Sequence, residues 1–193
     1  MKKYIIILLL AVSPVFAMAQ GIYSMTYDMS YGVGSTGDYM SKASFRGATL
    51  IDGRGFVTDN ISLGGTFSWH VFYEEVEGTF EDDNTALTGK QYRYINSFPV
   101  MLTGHYYFGD GSTTTYYVGT GIGAVSYEQR TEMGLYYSGD AKWHLGINPQ
   151  IGILIPMSPT VDFHVSLKYH QTFKASDYPA NQYLTLGLGF AWW

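Results

Sequence analysis

The five histidines of this chain could supply its chemistry, and all of them fall on the polar side of segments in which polar and apolar residues alternate. Imidazole, guanidinium and carboxylate groups can bind a metal ion, transfer protons or pair as ions. Because the histidines are scattered and only His164 and His170 share a strand, we predict a network of ion pairs and hydrogen bonds, with no metal and no cofactor. The predicted network is Asp28, Arg46, His70, Arg93, His105, His144, Asp162, His164, Lys168 and His170.

Alternation with a period of two predicts the strands that position these residues. Side chains of a strand point alternately to its two faces, so residues 23–33 present one apolar face and one polar face. No helical period is sustained over three turns after the N-terminal segment. Eight strands are predicted, around residues 23–33, 42–51, 61–73, 97–108, 116–124, 143–155, 161–169 and 184–192.

The composition indicates that the apolar faces contact lipid. Charged residues make up 14% of the chain and aromatic residues 17%, whereas a soluble domain carries about 25% charged residues. The aromatic residues gather near strand ends, as in the girdles of membrane barrels, which disfavours the alternative of a soluble sandwich or a calycin-like barrel. In lipid, only a closed sheet satisfies all its backbone groups. We therefore predict an all-β, membrane-spanning, eight-stranded, antiparallel up-and-down β-barrel.

The N-terminal residues have the pattern of an export signal. Lys2 and Lys3 precede an apolar run at residues 4–12, and Ala17-Met18-Ala19 offers a cleavage site. We expect a cleaved signal peptide at residues 1–19 and a barrel domain at 20–193. The chain has no cysteine, which excludes a lipoprotein anchor after the signal. Losing two lysines changes the formal charge from −5 to −7, which argues against nucleic acid as a partner.

The spacing of the strands predicts how they connect. Long connections are expected at residues 34–41, 74–90, 128–140 and 174–182, and short ones at 52–59, 109–114 and 156–159. Long and short connections alternate, as extracellular loops and periplasmic turns do in membrane barrels. An even strand number places both termini of the barrel in the periplasm.

The last strand resembles the assembly signal of small Gram-negative outer-membrane β-barrels of the OmpA-transmembrane, OmpX and OmpW kind. The residues that carry the resemblance are Thr185, Gly187, Phe190 and Trp192, with one extra residue, Trp193, after the expected terminal aromatic. The resemblance implies insertion in the outer membrane of a Gram-negative bacterium by the barrel-assembly machinery. It also implies a monomer surrounded by outer-membrane lipid and lipopolysaccharide.

Three functions are compatible with such a barrel. Eight strands enclose only enough room for side chains, which favours a plugged lumen and a structural or surface-interaction role through the extracellular loops. A small-solute conduit is the second possibility. The third is acyl hydrolysis: His170 and Thr172, with His144 nearby, resemble the His and Ser of the lipid A deacylase barrels, although Thr replaces Ser. An acidic run at residues 74–83 is predicted to be solvated, with divalent-ion binding as the alternative.

Overall fold

The computed structural model describes residues 21–82, 85–109, 114–134, 136–175 and 178–193, so the predicted signal peptide lies outside the described residues. No helix within these ranges is long and apolar enough to cross a membrane. The elements are β1 (Gly21–Val33), α1 (Gly34–Tyr39), β2 (Ser44–Thr58), β3 (Ile61–Asp82), β4 (Thr85–Phe108), β5 (Thr115–Met133), β6 (Tyr136–Ile147), β7 (Gln150–Ser158), β8 (Val161–Thr172) and β9 (Gln182–Trp192).

The strands form one closed antiparallel ring. Strands β1 to β6 pair in sequence order, as do β7, β8 and β9, and β1 pairs with β9 from Tyr23↔Trp192 to Val33↔Gln182, which closes the ring. β6 and β7 occupy a single position between β5 and β8. They are separated only by Asn148 and Pro149, and Asn148 still exchanges backbone hydrogen bonds of 3.0 and 3.3 Å with Gly121. The prediction of an eight-stranded barrel is therefore confirmed.

The predicted faces are also confirmed. Alternate side chains of β1 are buried inside the ring, whereas Tyr23, Met25, Tyr27 and Tyr31 are about half exposed on its outer surface. Tyr23 and Tyr31 are eight residues apart, or about 27 Å along a strand. A tilt of about 40° reduces this to about 21 Å, close to the height of the apolar band of a membrane barrel. The other large outward side chains include Trp69, Leu102, Val118, Ile122, Trp143, Leu145, Ile151, Leu186, Phe190 and Trp192.

Two predictions about β2 are wrong. Residues 52–59 were expected to form a turn, but β2 continues to Thr58 and pairs with β3 as far as Thr58↔Ile61. Arg46 was expected to point inward, but it is exposed and its guanidinium lies over the ring of Tyr73 at 5.2 Å. The cause is a register shift against β1 between Asp28 and Ser30, which leaves two consecutive β2 residues outside the ring.

The long connections at residues 74–90 and 128–140 are also not loops. They continue as paired hairpins, with β3 bonded to β4 up to Asp82↔Thr85 and β5 bonded to β6 up to Met133↔Tyr136. β2 leaves β3 at Val71, so residues 72–82 extend the sheet by about 37 Å beyond that point. We call this end of the barrel the hairpin end, and the opposite end, where Gly21 and Trp193 lie, the turn end. The sequence hides these extensions because apolar residues no longer alternate past Glu74, where Val76 is partly exposed and Glu77 and Thr79 are exposed.

Candidate functional site: the barrel lumen

The lumen near the turn end is closed by packed side chains. Ile22, Tyr107, Tyr117, Leu154 and Ala191 form a cluster with 4% exposure or less, and Phe56 packs against it. The rings of Tyr107 and Tyr117 lie 5.7 Å apart. Inward residues from five strands therefore meet across the narrow interior, as expected for a barrel of this strand number. We call these residues the lower plug.

A buried ion pair sits against the lower plug. Arg54 donates to both carboxylate oxygens of Asp52, at 2.9 and 2.7 Å, and both side chains are almost fully buried. Its guanidinium also donates to the Tyr107 hydroxyl at 3.1 Å and lies over the Tyr117 ring at 4.5 Å. Planar bidentate pairing of this kind fixes orientation as well as charge. Neither Asp52 nor Arg54 was among the predicted lumen residues, because both fell in the expected turn.

A second charged group occupies the middle of the lumen around Asp28. Its carboxylate accepts hydrogen bonds from Thr26 at 2.6 Å and Thr49 at 2.7 Å, and it lies 3.0 Å from His70 Nε2. Lys168 donates to the same Thr49 hydroxyl at 2.8 Å. The predicted association of Asp28, His70 and Lys168 is therefore present, bridged by a threonine. Each of the charged groups is held by partners from other strands, which ties the ring together internally.

The other predicted histidines are buried but only partly paired. His164 Nε2 lies 2.7 Å from the Tyr117 hydroxyl. His105 and His170 have no hydrogen-bond partner at either ring nitrogen among the described residues. His170 is instead stacked on Tyr183, with ring centroids 4.5 Å apart, and its edge contacts His70. These imidazole rings therefore fill space in the lumen as well as making hydrogen bonds.

The hairpin end of the lumen has its own plug. Met40, Phe72, Ile95, Tyr127 and Tyr183 form a second cluster with 5% exposure or less, and Tyr39 packs against it. Met40 reaches this position because α1 and the residue after it fold inward across the opening. Thr36 anchors the segment by accepting a backbone hydrogen bond from Gln182 at 3.0 Å. We call this cluster the upper plug.

Polar contacts hold the β1–β2 connection in place above the upper plug. The backbone N–H of Ser41 donates to the Glu74 carboxylate at 2.7 Å, and the Ser41 hydroxyl donates to the same group. Arg93 donates to the Tyr39 carbonyl at 3.0 Å and lies over the Tyr39 ring at 5.1 Å. Arg93 therefore has the predicted inward direction but belongs to the mouth, not to the central network. Glu74, expected in a solvated acidic loop, is 4% exposed.

The residues compared with a deacylase are close together but are not arranged as a nucleophile and its base. His144 Nδ1 lies 3.0 Å from the carbonyl oxygen of Phe173. The Thr172 hydroxyl accepts a hydrogen bond of 2.8 Å from the backbone N–H of Asn181. No hydrogen bond joins either His144 or His170 to Thr172 in the described part of the chain. Within the same residues, no group of three or more His, Asp or Glu side chains is placed to hold a metal ion.

The residues of the predicted assembly signal lie on the faces of β9 that strict alternation predicts. Phe190 and Trp192 face outward, whereas Thr185 and Gly187 face the lumen. The extra residue Trp193 does not shift this register. Its indole N–H donates to Asp162 at 2.7 Å and its ring stacks on Phe56 at 5.9 Å, beneath the lower plug. Asp162, predicted as a counter-charge of the network, therefore pairs with the C-terminal residue.

The closed ring, the apolar outer surface and the polar interior define the fold class of small outer-membrane β-barrels. No protein-family model and no curated protein matches the sequence. Ail of Yersinia pestis, the attachment invasion locus protein, is similar in structure, with a TM-score of 0.52 and 13% identity over 89% of this chain and 97% of that chain. Neisserial surface protein A is also similar in structure, with a TM-score of 0.52 and 14% identity over 89% of this chain and 95% of that chain. The expected fold is confirmed.

Proposed function

We propose that this chain is an outer-membrane β-barrel with a closed lumen that acts at the cell surface through its extended hairpins. The observation that carries the proposal is the combination of two plugs inside the ring with two hairpins that continue far beyond it. A lumen blocked by packed side chains favours a structural or surface role over a small-solute conduit. The acyl-hydrolase alternative stays a prediction, and the hydrogen bonds of Thr172 do not favour it.

The outer surface supports placement in a membrane. A band of half-exposed aromatic and aliphatic side chains surrounds the ring, including Leu102 at 67% and Trp143 at 62% exposure. Contiguous apolar surface on this scale is not tolerated on a monomeric soluble protein. Outer-membrane lipid, including lipopolysaccharide, is the proposed surrounding of this band. The barrel-assembly machinery, reading β9, is the proposed means of insertion, and a monomer is the proposed state.

The hairpin end offers a surface suited to contact with another molecule. Four strands, β3 to β6, continue as an open sheet, because β2 pairs with β3 only as far as Val71. On the far side, β8 pairs with β6 only at Gly146 and Ile147. An open sheet has edges with unpaired backbone groups, and such edges pair readily with another chain. Ail, whose name describes attachment and invasion, has the same fold, and attachment is the kind of role we propose here.

Shortening the β3–β4 hairpin tests this proposal. Glu75 and Tyr92 face each other, so residues 76–91 can be replaced by an Asn-Gly turn without disturbing the upper plug. We expect expression of the parent chain to raise adherence of bacteria to a cell layer about tenfold over an empty vector. We expect the shortened chain to lose that gain while it folds normally.

A cysteine reporter shows that both chains reach the surface. The chain contains no cysteine, so Tyr136→Cys at the hairpin end gives a single thiol for an impermeant maleimide on intact cells. Thr160→Cys at the turn end should react only after permeabilisation. Equal adherence of the parent and shortened chains, or labelling of Thr160→Cys on intact cells, would refute the proposal.

A further inference from the structure

A polar cavity lies at the hairpin end, outside the upper plug. It has a volume of about 340 Å³ and lies between the inner face of the β5–β6 hairpin and the β8–β9 connection. Pockets for small molecules begin at about 300 Å³. The residues that matter for its chemistry are Tyr127, Gln129, Ser138, His144, Tyr178 and Asn181.

His144 presents an unused hydrogen-bond acceptor to this cavity. Its Nδ1 lies 3.0 Å from the Phe173 carbonyl oxygen, which can only accept a hydrogen bond. Nδ1 therefore carries the hydrogen, and Nε2 of the neutral ring keeps a lone pair. Among the described residues, Nε2 has no hydrogen-bond partner. A side chain that is 3% exposed and fixed in this orientation is a built feature of the cavity.

Neighbouring groups add both donors and acceptors. The Ser138 hydroxyl can do either, and it has no hydrogen-bond partner in the described ranges. The amide nitrogen of Asn181 is 3.4 Å from the Pro179 carbonyl, and its amide oxygen remains an acceptor. Gln129 contributes a second carboxamide to the wall. The cavity therefore offers uncharged groups of mixed donor and acceptor character beside the Asp140 carboxylate, which also lines it.

Two tyrosines give the wall of the cavity an aromatic part. The Tyr127 ring lies edge-on to His144, with ring centroids 6.4 Å apart. The Tyr178 hydroxyl donates to Asp140, and Lys142 lies over the Tyr178 ring at 4.8 Å. The Asp140 carboxylate is thereby hydrogen-bonded within the cavity wall, and the Lys142 ammonium lies on the Tyr178 ring. The cavity therefore lacks the arginine cluster that recognises phosphate or sulfate.

We propose that this cavity binds a neutral sugar unit, namely one hexopyranose ring together with its glycosidic bond. Such a ligand carries hydroxyls that both donate and accept, and an apolar C–H face that packs on an aromatic ring. Those are the two kinds of surface that the cavity presents. The inference rests on the proposed function only for the origin of the sugar, because a surface barrel would meet glycans at its hairpin end.

Binding is measured with the full barrel folded in lipid nanodiscs. Methyl β-glucoside, methyl β-galactoside and N-acetylglucosamine are titrated while the NMR signals of the His144 ring are followed. We expect saturable shifts with a Kd of about 1 mM for at least one of them. De-lipidated lipopolysaccharide oligosaccharide is a second arm, and tighter binding there than to the free glycosides would place the source on the bacterium's own surface.

Two substitutions at serine provide the matched comparison. Ser138→Trp fills the cavity and should abolish the saturable shifts, whereas Ser126→Trp, on the outward side of β5, should leave the Kd unchanged. His144→Gln keeps an acceptor and should weaken binding by about tenfold or less, and His144→Leu by more.

Three results would overturn the inference. They are the absence of saturable shifts with every glycoside, equal binding by the Ser138→Trp chain, and stronger binding of a sulfated disaccharide than of the neutral ones. If the Tyr136→Cys thiol is labelled on intact cells but no sugar binds, the sugar-binding inference is refuted and the proposed surface role is not. Sugar binding by a chain whose Tyr136→Cys thiol is not labelled on intact cells would remove the proposed function alone.

Discussion

Replacing Arg54 with alanine is expected to lower the free energy of unfolding of the barrel by about 3–5 kcal/mol. The substitution leaves Asp52 buried without its bidentate partner. It also removes the guanidinium N–H that donates to the Tyr107 hydroxyl. A carboxylate that is unpaired in a low-dielectric interior costs more than the lost hydrogen bonds alone. The measurement is a urea titration in lipid vesicles, followed by tryptophan fluorescence of the native and unfolded states.

The matched control is Arg46→Ala on the same strand. Arg46 is exposed and its guanidinium lies over the Tyr73 ring, so its replacement should cost about 0.5 kcal/mol or less. Asp52→Leu combined with Arg54→Met should recover most of the loss, because apolar residues of similar size often replace a buried pair without penalty. Equal destabilisation by Arg46→Ala and Arg54→Ala would show that the buried pair has no special role.

The Gly189→Ala substitution is expected to destabilise closure of the barrel strongly. A Cβ at Gly189 would collide with the Met25 carbonyl oxygen and lie 2.7 Å from the Cα of Thr26, across the seam between β1 and β9. Backbone atoms cannot move aside as a flexible side chain can, so the seam must open or shift. Overpacking of this kind costs about 3 kcal/mol. Heat-modifiable migration on a gel, at the urea concentration that unfolds half of the parent, measures the folded fraction, which should fall by about tenfold or more.

Gly104→Ala serves as the comparison for the seam. The nearest atom that a Cβ would meet there is Leu63 Cδ2, at 3.4 Å, and this is a flexible side-chain end. We expect a folded fraction close to that of the parent. If Gly189→Ala and Gly104→Ala chains fold equally well, the close approach of β1 and β9 does not limit closure.

The barrel could be predicted from the sequence because its two faces meet different surroundings. Outward residues such as Leu102 and inward ones such as His105 alternate wherever one face is apolar and the other polar. The same reasoning fails where that contrast ends. Beyond Glu74 the described side chains of β3 are partly or fully exposed on both faces, so the pattern disappears although the backbone pairing continues to Asp82. The sequence therefore predicted loops where the structure has hairpins.

The site was only partly predictable for a related reason. His70 and Lys168 follow the alternation and lie in the lumen as expected, near Asp28. The pair of Asp52 and Arg54 was missed because Asp52-Gly53 has the composition of a turn. A register shift between β1 and β2 turned Arg46 outward. The spacing of Asp52 and Arg54, two residues apart like an inward pair, was the signal that could have found them.

The plugs needed three-dimensional contacts that no local pattern carries. Met40 follows a short helix, and nothing in its sequence neighbourhood shows that it folds into the barrel mouth. Tyr183 shares the inward side of β9 with Thr185, so its direction was readable. Its stacking on His170 joins residues from neighbouring strands and emerges only once the register is known. A plugged lumen was predicted from the strand number, whereas the residues that form the two plugs are a structural finding.

Conductance of the purified, folded protein in a planar lipid bilayer tests the closed lumen most directly. Heat-modifiable migration first shows that the protein is folded, and a large porin in the same bilayer shows that open channels are detected. Two plugs and a buried ion pair predict a flat baseline at moderate voltage. Stable, reproducible open-channel steps from the folded protein would contradict a closed lumen and would favour a small-solute conduit.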